Sequence, residues 1–159
     1  MKRRRTALIL ATLIWMGLIF YMSAQNADMS EETSGRVVRV IEHVFFSGWD
    51  ELPAEEYEAR HQSLTYLVRK MAHFTEYLIL GVFLSMVLAT YQISWKLRVL
   101  AASGTGVLYA VTDELHQIFS EGRAMSVFDM LIDSSGVILG VLAALGIAAM
   151  KLMEKNDKG

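Results

Sequence analysis

Tyr109 to Gly140, YAVTDELHQIFSEGRAMSVFDMLIDSSGVILG, decides how the chain is read. It begins and ends in sequence apolar enough for lipid. Between those ends it carries Asp113, Glu114, His116, Gln117, Glu121, Arg123, Asp129 and Asp133. Ionisable groups at the edge of a membrane helix lose hydration, so they persist where they are paired, wetted or used. The stretch therefore predicts two apolar helices with a polar site at their shared end. A second stretch, RKMAHFTEY from Arg69 to Tyr77, is expected to complete that site.

The composition agrees with a membrane protein. The chain has 159 residues, enough for one domain, with 53% hydrophobic residues and a single proline. Its mean hydropathy is +0.34, a balance that suits an integral membrane protein better than a soluble enzyme. A formal charge of −2 gives no reason to expect nucleic acid as a partner. The absence of cysteine excludes disulfides, thiolate metal sites and a thiol nucleophile.

Working outward, the hydropathy pattern predicts an all-α bundle of four transmembrane helices, spanning about 6–22, 71–90, 99–117 and 127–150. The third span is short unless Thr112 to Gln117 continues its helix. Lys2 to Arg5, then Lys96 and Arg98, then Lys151, Lys155 and Lys158 all fall on one side of an up-down-up-down bundle. The positive-inside rule places that side, and both termini, in the cytoplasm. The opposite side receives the acidic segment 23–70 and the turn from Ser120 to Ser126. A cleaved signal peptide is the rival reading of the first span, but its apolar run is long and no clean small-x-small site follows it.

Within the outer segment, Val37, Val40, Ile41, Val44 and Phe45 recur at helical spacing, with Arg36, Arg39 and Glu42 off that stripe. This predicts an amphipathic helix on the outer surface or capping the bundle. Pro53 suits the first turn of a further helix, and no breaker follows until the second span ends. One long helix, or two with a bend, is expected to enter the membrane near Lys70.

The spacing also assigns faces. His73, Glu76 and Tyr77 share one, followed by Leu80, Gly81 and Leu84. Ala102, Gly106, Ala110 and Asp113 form a small-residue seam ending in a carboxylate. Asp113, His116 and Gln117 fall to one side, with Glu114 turned away. Asp129, Asp133, Gly136 and Gly140 follow one face of the last span. The second, third and fourth spans thus bring their polar ends to the same rim.

Taken singly, each group has a bland role as an interfacial residue, cap or counter-charge. As a cluster they point to a site, because a charge at the bilayer centre costs about 2.5–3.5 kcal/mol on insertion scales. Three chemistries are open. Neighbouring carboxyls and the histidines suit acid–base work. The two histidines with Asp113, Glu76 or Asp129 offer metal ligands, without any metal-specific motif. Arg123 suits bidentate binding of a phosphate or carboxylate on an apolar substrate. No P-loop, dinucleotide fingerprint or GxSxG is present, and no cofactor is identified.

Lys70 to Gly81, KMAHFTEYLILG, resembles the K-x-x-H-F-x-E-Y-x-x-L-G signature of the VanZ-like membrane proteins. The later run Asp113-Glu114, His116-Gln117, Arg123, Asp129 and Gly136 resembles the family's D-E-x-H-Q … R … D … G block. Ser23 and Gln25 match its S-x-Q element. Asp133 departs from the asparagine expected in many members. The resemblance implies a role in the bacterial envelope and a link to low-level teicoplanin resistance, and the charged rim with Arg123 beside apolar helices points to a membrane lipid or lipid-linked wall precursor as partner. It carries over His73, Glu76, Asp113, Glu114, His116, Gln117, Arg123 and Asp129 as site residues.

Overall fold

Asn26, Ser94 and Ser126 each start a helix by the same local chemistry. Their side-chain oxygens accept from the backbone N–H groups of Met29, Leu97 and Asp129, at 2.9, 3.3 and 3.2 Å. Each meets one of the amide donors a helix N-terminus leaves open. The computed structural model describes residues 2–46, 48–120 and 122–158. Among these are five α-helices, one 3-10 turn and no strand: α1 (Lys2–Ser23), α2 (Ala27–Phe45), α3 (Ala54–Leu88), α4 (Trp95–Gln117) and α5 (Val127–Asp157).

Three helices, α1, α3 and α5, are long and apolar enough to cross a membrane. Helix α4 is continuous through Thr112–Gln117, as expected. Its polar ends and its Ser, Thr and Gly residues keep it outside that group. Helix α3 is unbroken over 35 residues, resolving the choice between one helix and two. At a rise of 1.5 Å per residue it is about 52 Å long, well over the roughly 30 Å of a hydrocarbon core. A membrane-crossing α3 would therefore leave its first turns projecting beyond the apolar zone. Pro53 stands just before α3 rather than within its first turn, which Glu55 and Glu56 occupy.

The frame is the pairing of α3 with α5, and glycine makes it close. A Cβ on Gly136 would lie 2.5 Å from the Phe74 carbonyl oxygen, and one on Gly140 or Gly81 would overlap the carbonyl of Leu78 or Val137. Helix α4 adds its seam: Ala102, Gly106, Ala110 and Asp113 are all buried. With little hydrophobic drive between helices in lipid, such backbone proximity supplies the packing. Helix α1 is fastened by Trp15 Nε1, which donates to the Glu76 carbonyl at 2.9 Å, and by Tyr109 OH, which donates to the Met16 carbonyl at 2.6 Å.

Helix α2 lies along the projecting part of α3, but not by its apolar stripe. The buried residues are Ser30, Ser34, Gly35, Val38 and Glu42. Glu42 Oε1 lies 2.8 Å from His61 Nδ1, and Tyr57 OH donates to Glu42 Oε2 at 3.3 Å. Val40 and Phe45 are 65% and 74% exposed, and Val37 and Val44 are also outward. At about 100° per residue the packed face falls between this apolar flank and a polar flank holding Glu32, Arg36 and Arg39. The helix is amphipathic as expected, with a different face buried.

The two ends of the bundle differ sharply. Arg5 on α1 donates to Thr90 beyond the end of α3, and Arg4, Arg98 and Lys151 gather at the same end. Ser23, His73, Gln117 and Asp129 lie at the other.

Candidate functional site

Two clefts adjoin at that polar end and share Arg69, His73 and Arg123 as a common wall. The larger, about 220 Å³, combines Met22, Val37, Val68 and Ala72 with Gln25, Ser34 and Glu76. The smaller, about 160 Å³, is more polar and is bordered by Lys70, Gln117 and Asp129. A cationic and imidazole wall thus separates an apolar groove from a polar one.

The loop between α4 and α5 positions Arg123. Ser120 Oγ donates to the Ala24 carbonyl at 3.4 Å, and Arg123 Nη1 to the Ser23 carbonyl at 3.3 Å, so the loop closes over the end of α1. Gly122 turns the chain at φ 73°, and a Cβ there would sit 3.1 Å from Ala27. The positive φ favours glycine there, and a side chain would also crowd Ala27. Burial and the neighbouring Arg69 cation pull the Arg123 guanidinium below its usual pKa. Among the described residues, neither arginine makes an ion pair. Glu121, singled out in the sequence, lies outside the described residues.

Lys70 is committed instead to Asp129, bridging the start of the apolar part of α3 to the first turn of α5. Neither Lys70 nor Arg69 was among the site residues read from the sequence. A basic residue at the end of a span reads as an interfacial anchor, and only packing reveals its partner.

Beneath the clefts lies a layer of buried carboxyls. Asp113, Glu114 and Asp133 are 2%, 0% and 0% exposed. Ser23, Tyr77 and Gln117 are neighbours of the Asp113 carboxyl, yet neither of its oxygens has a hydrogen-bond partner among the described residues. Asp133 likewise has neither oxygen partnered among the described residues. Buried polar groups are nearly always satisfied, and in this layer only Glu114 Oε2 has a hydrogen-bond partner among the described residues.

Glu114 turns away from Asp113, as its spacing predicted, yet it is fully buried. Its Oε2 accepts from the Ser126 N–H at 2.8 Å, placing a carboxylate at the start of α5, where the helix dipole favours it.

The site residues thus divide. His73, Glu76, Gln117, Arg123 and Asp129 line the clefts. Asp113 and Glu114 lie beneath them. His116 stands apart: its ring packs on Phe20 with centroids 4.2 Å apart, and it lines neither cleft. Among the described residues, no three His, Asp or Glu side chains converge to hold a metal ion, so the two histidines do not join in one ligand set there.

No curated protein and no solved structure matches the chain. A family model described as VanZ/LLP1 matches residues 8–149, from within α1 almost to the end of the apolar part of α5. That match takes in both motif blocks and every residue of the polar end described above, and by it the chain belongs to the VanZ/LLP1 family.

Proposed function

We propose that this is a multi-pass membrane protein whose polar site takes an anionic amphiphile, an envelope lipid or lipid-linked cell-wall component, at the outer membrane interface. In this reading α4 crosses the membrane with α1, α3 and α5. Segment 23–70 lies outside, and both termini lie in the cytoplasm with the basic end of the bundle.

The observation that carries the reading is the position of Arg69 and Arg123 between an apolar and a polar cleft, unpaired among the described residues. Guanidinium groups suit phosphate oxygens, which they can grip bidentately. Met22, Val37 and Val68 offer a bed for the first part of an apolar tail. His73 and Glu76 border the bound head group, Gln117 and Asp129 line the polar cleft beside it, and the carboxyls of Asp113 and Glu114 lie beneath. Resistance to teicoplanin, implied by the resemblance, would follow from action on a wall precursor.

The test is titration of the purified protein with a short-chain polyprenyl phosphate. Wild type binds saturably, and Arg123→Gln weakens binding by about tenfold or more, the worth of a charge-assisted hydrogen bond. Affinity unchanged by Arg123→Gln and Arg69→Gln rejects the reading. Turnover lost in folded Asp113→Asn or His116→Ala protein would identify an enzyme.

A second reading, a non-catalytic binder that shields the wall target, is favoured by one observation. The outward apolar flank of α2 runs from the cleft residue Val37 to Phe45, beside the site. It predicts saturable binding without product.

A further inference from the structure

At the end of the bundle opposite the site, Arg4, Arg98 and Lys151 border a cleft of about 330 Å³ with Val82, Met86 and Leu145 in its walls. The cations of this end are not equivalent. Arg5 is committed to structure: Nε donates to Thr90 Oγ1 at 3.1 Å, Nη2 donates to the Thr90 carbonyl at 2.9 Å, and the guanidinium covers the Tyr91 ring at 4.1 Å. Arg98 has no such commitment. Its Nε is buried without a hydrogen-bond partner among the described residues.

No Asp or Glu lines the cleft. Among the described residues Arg4, Arg98 and Lys151 make no ion pair. The positive-inside rule accounts for basic residues near a membrane surface. It does not account for a buried guanidinium donor with no acceptor among the described residues, which is unfavourable unless something outside the chain meets it. The cleft is also open to the outer surface of the helices, since its residues Met86 and Ile147 are exposed.

We infer that this cleft binds an anionic glycerophospholipid, its phosphate oxygens accepting from Arg98. Arg4 and Lys151 flank the head group, and one acyl chain follows Val82, Met86 and Leu145. Free phosphate would meet the same cations but leave the apolar walls unused. The site is separate from the polar end and does not depend on what binds there.

The experiment uses the full chain in neutral detergent, titrated with phosphatidylglycerol or phosphatidylcholine, with bound lipid counted by native mass spectrometry. Wild type should prefer phosphatidylglycerol by at least about fivefold, the effect of one interfacial cation. Arg98→Gln and Lys151→Gln should each weaken phosphatidylglycerol binding by about fivefold. Lys158→Gln should leave it unchanged, because Lys158 pairs with Glu154 and does not line the cleft. Lys151 is exposed, so its variant remains informative if Arg98→Gln fails to fold. Equal retention of the two lipids overturns the inference, as does a preference that survives in folded variants. Displacement of phosphatidylglycerol by millimolar inorganic phosphate at matched ionic strength overturns it too, because the site would then take the free anion.

Discussion

Lys70 of α3 and Asp129 of α5 form an ion pair at the rim of the bundle, where the apolar part of one helix meets the first turn of the other. Their side chains are only 15% and 21% exposed, so the pair lies between the nearly worthless surface bridge and the fully desolvated one. The Asp129 N–H is meanwhile held by Ser126 Oγ at 3.2 Å. Ser126 thus caps α5 through the Asp129 N–H while the Asp129 carboxylate ties the helix to α3 at the border of the polar cleft.

Lys70→Met and Asp129→Asn should each destabilise the protein by about 1–3 kcal/mol, and the double variant should cost less than their sum. Reversible unfolding in mixed micelles measures this. Strict additivity would mean that the pair carries no coupling.

The glycine seam makes a sharper contrast. Gly136→Ala would press a methyl against the Phe74 carbonyl and should cost about 1–3 kcal/mol. Gly146, on the same helix, has nothing within 4 Å of an added Cβ, and Gly146→Ala should gain up to about 1 kcal/mol from helix propensity. Thermal unfolding of the two variants side by side checks the α3–α5 interface.

Glu114→Ala removes the acceptor of the Ser126 N–H and should cost about 1–2 kcal/mol. Glu114→Gln keeps an oxygen in place and should recover most of that stability. If the glutamine variant is folded and stable but loses polyprenyl phosphate binding or turnover, the Glu114 charge serves the site as well as the fold.

The orientation of α2 can be tested by labelling, since the chain has no cysteine. A fluorophore on Val44→Cys should be quenched by a lipid-borne nitroxide in vesicles, and one on Arg36→Cys should not. Equal quenching at the two positions would contradict an apolar flank that meets lipid.

Much of this arrangement was legible in the residues. Runs of apolar sequence of spanning length located α1, α3 and α5, and small residues at helical spacing marked the faces of α4 and α5 that pack. The burial of Ala102, Gly106, Ala110 and Asp113 follows from that pattern because close backbone approach needs small side chains. The packed face of α2 was not legible. A hydrophobic stripe normally identifies the face toward a core, but here the surroundings can themselves be apolar, and Ser34, Gly35 and Glu42 face α3 instead. Nor were the roles of Arg69 and Lys70, or the burial of Glu114, accessible from spacing. Each depends on which neighbour the bundle brings alongside, and helical periodicity carries no information about the partner helix.

The account rests on side chains from α1, α3, α4, α5 and the α4–α5 loop meeting at one anion-binding site. An experimental structure of the full chain with a short-chain polyprenyl phosphate tests it most directly. The phosphate should sit on Arg69 and Arg123, with its tail beside Met22, Val37 and Val68 and the carboxyl layer of Asp113 and Asp133 beneath. A phosphate seated elsewhere, or His73, Asp113 and Asp129 on separate faces of the bundle, would contradict it.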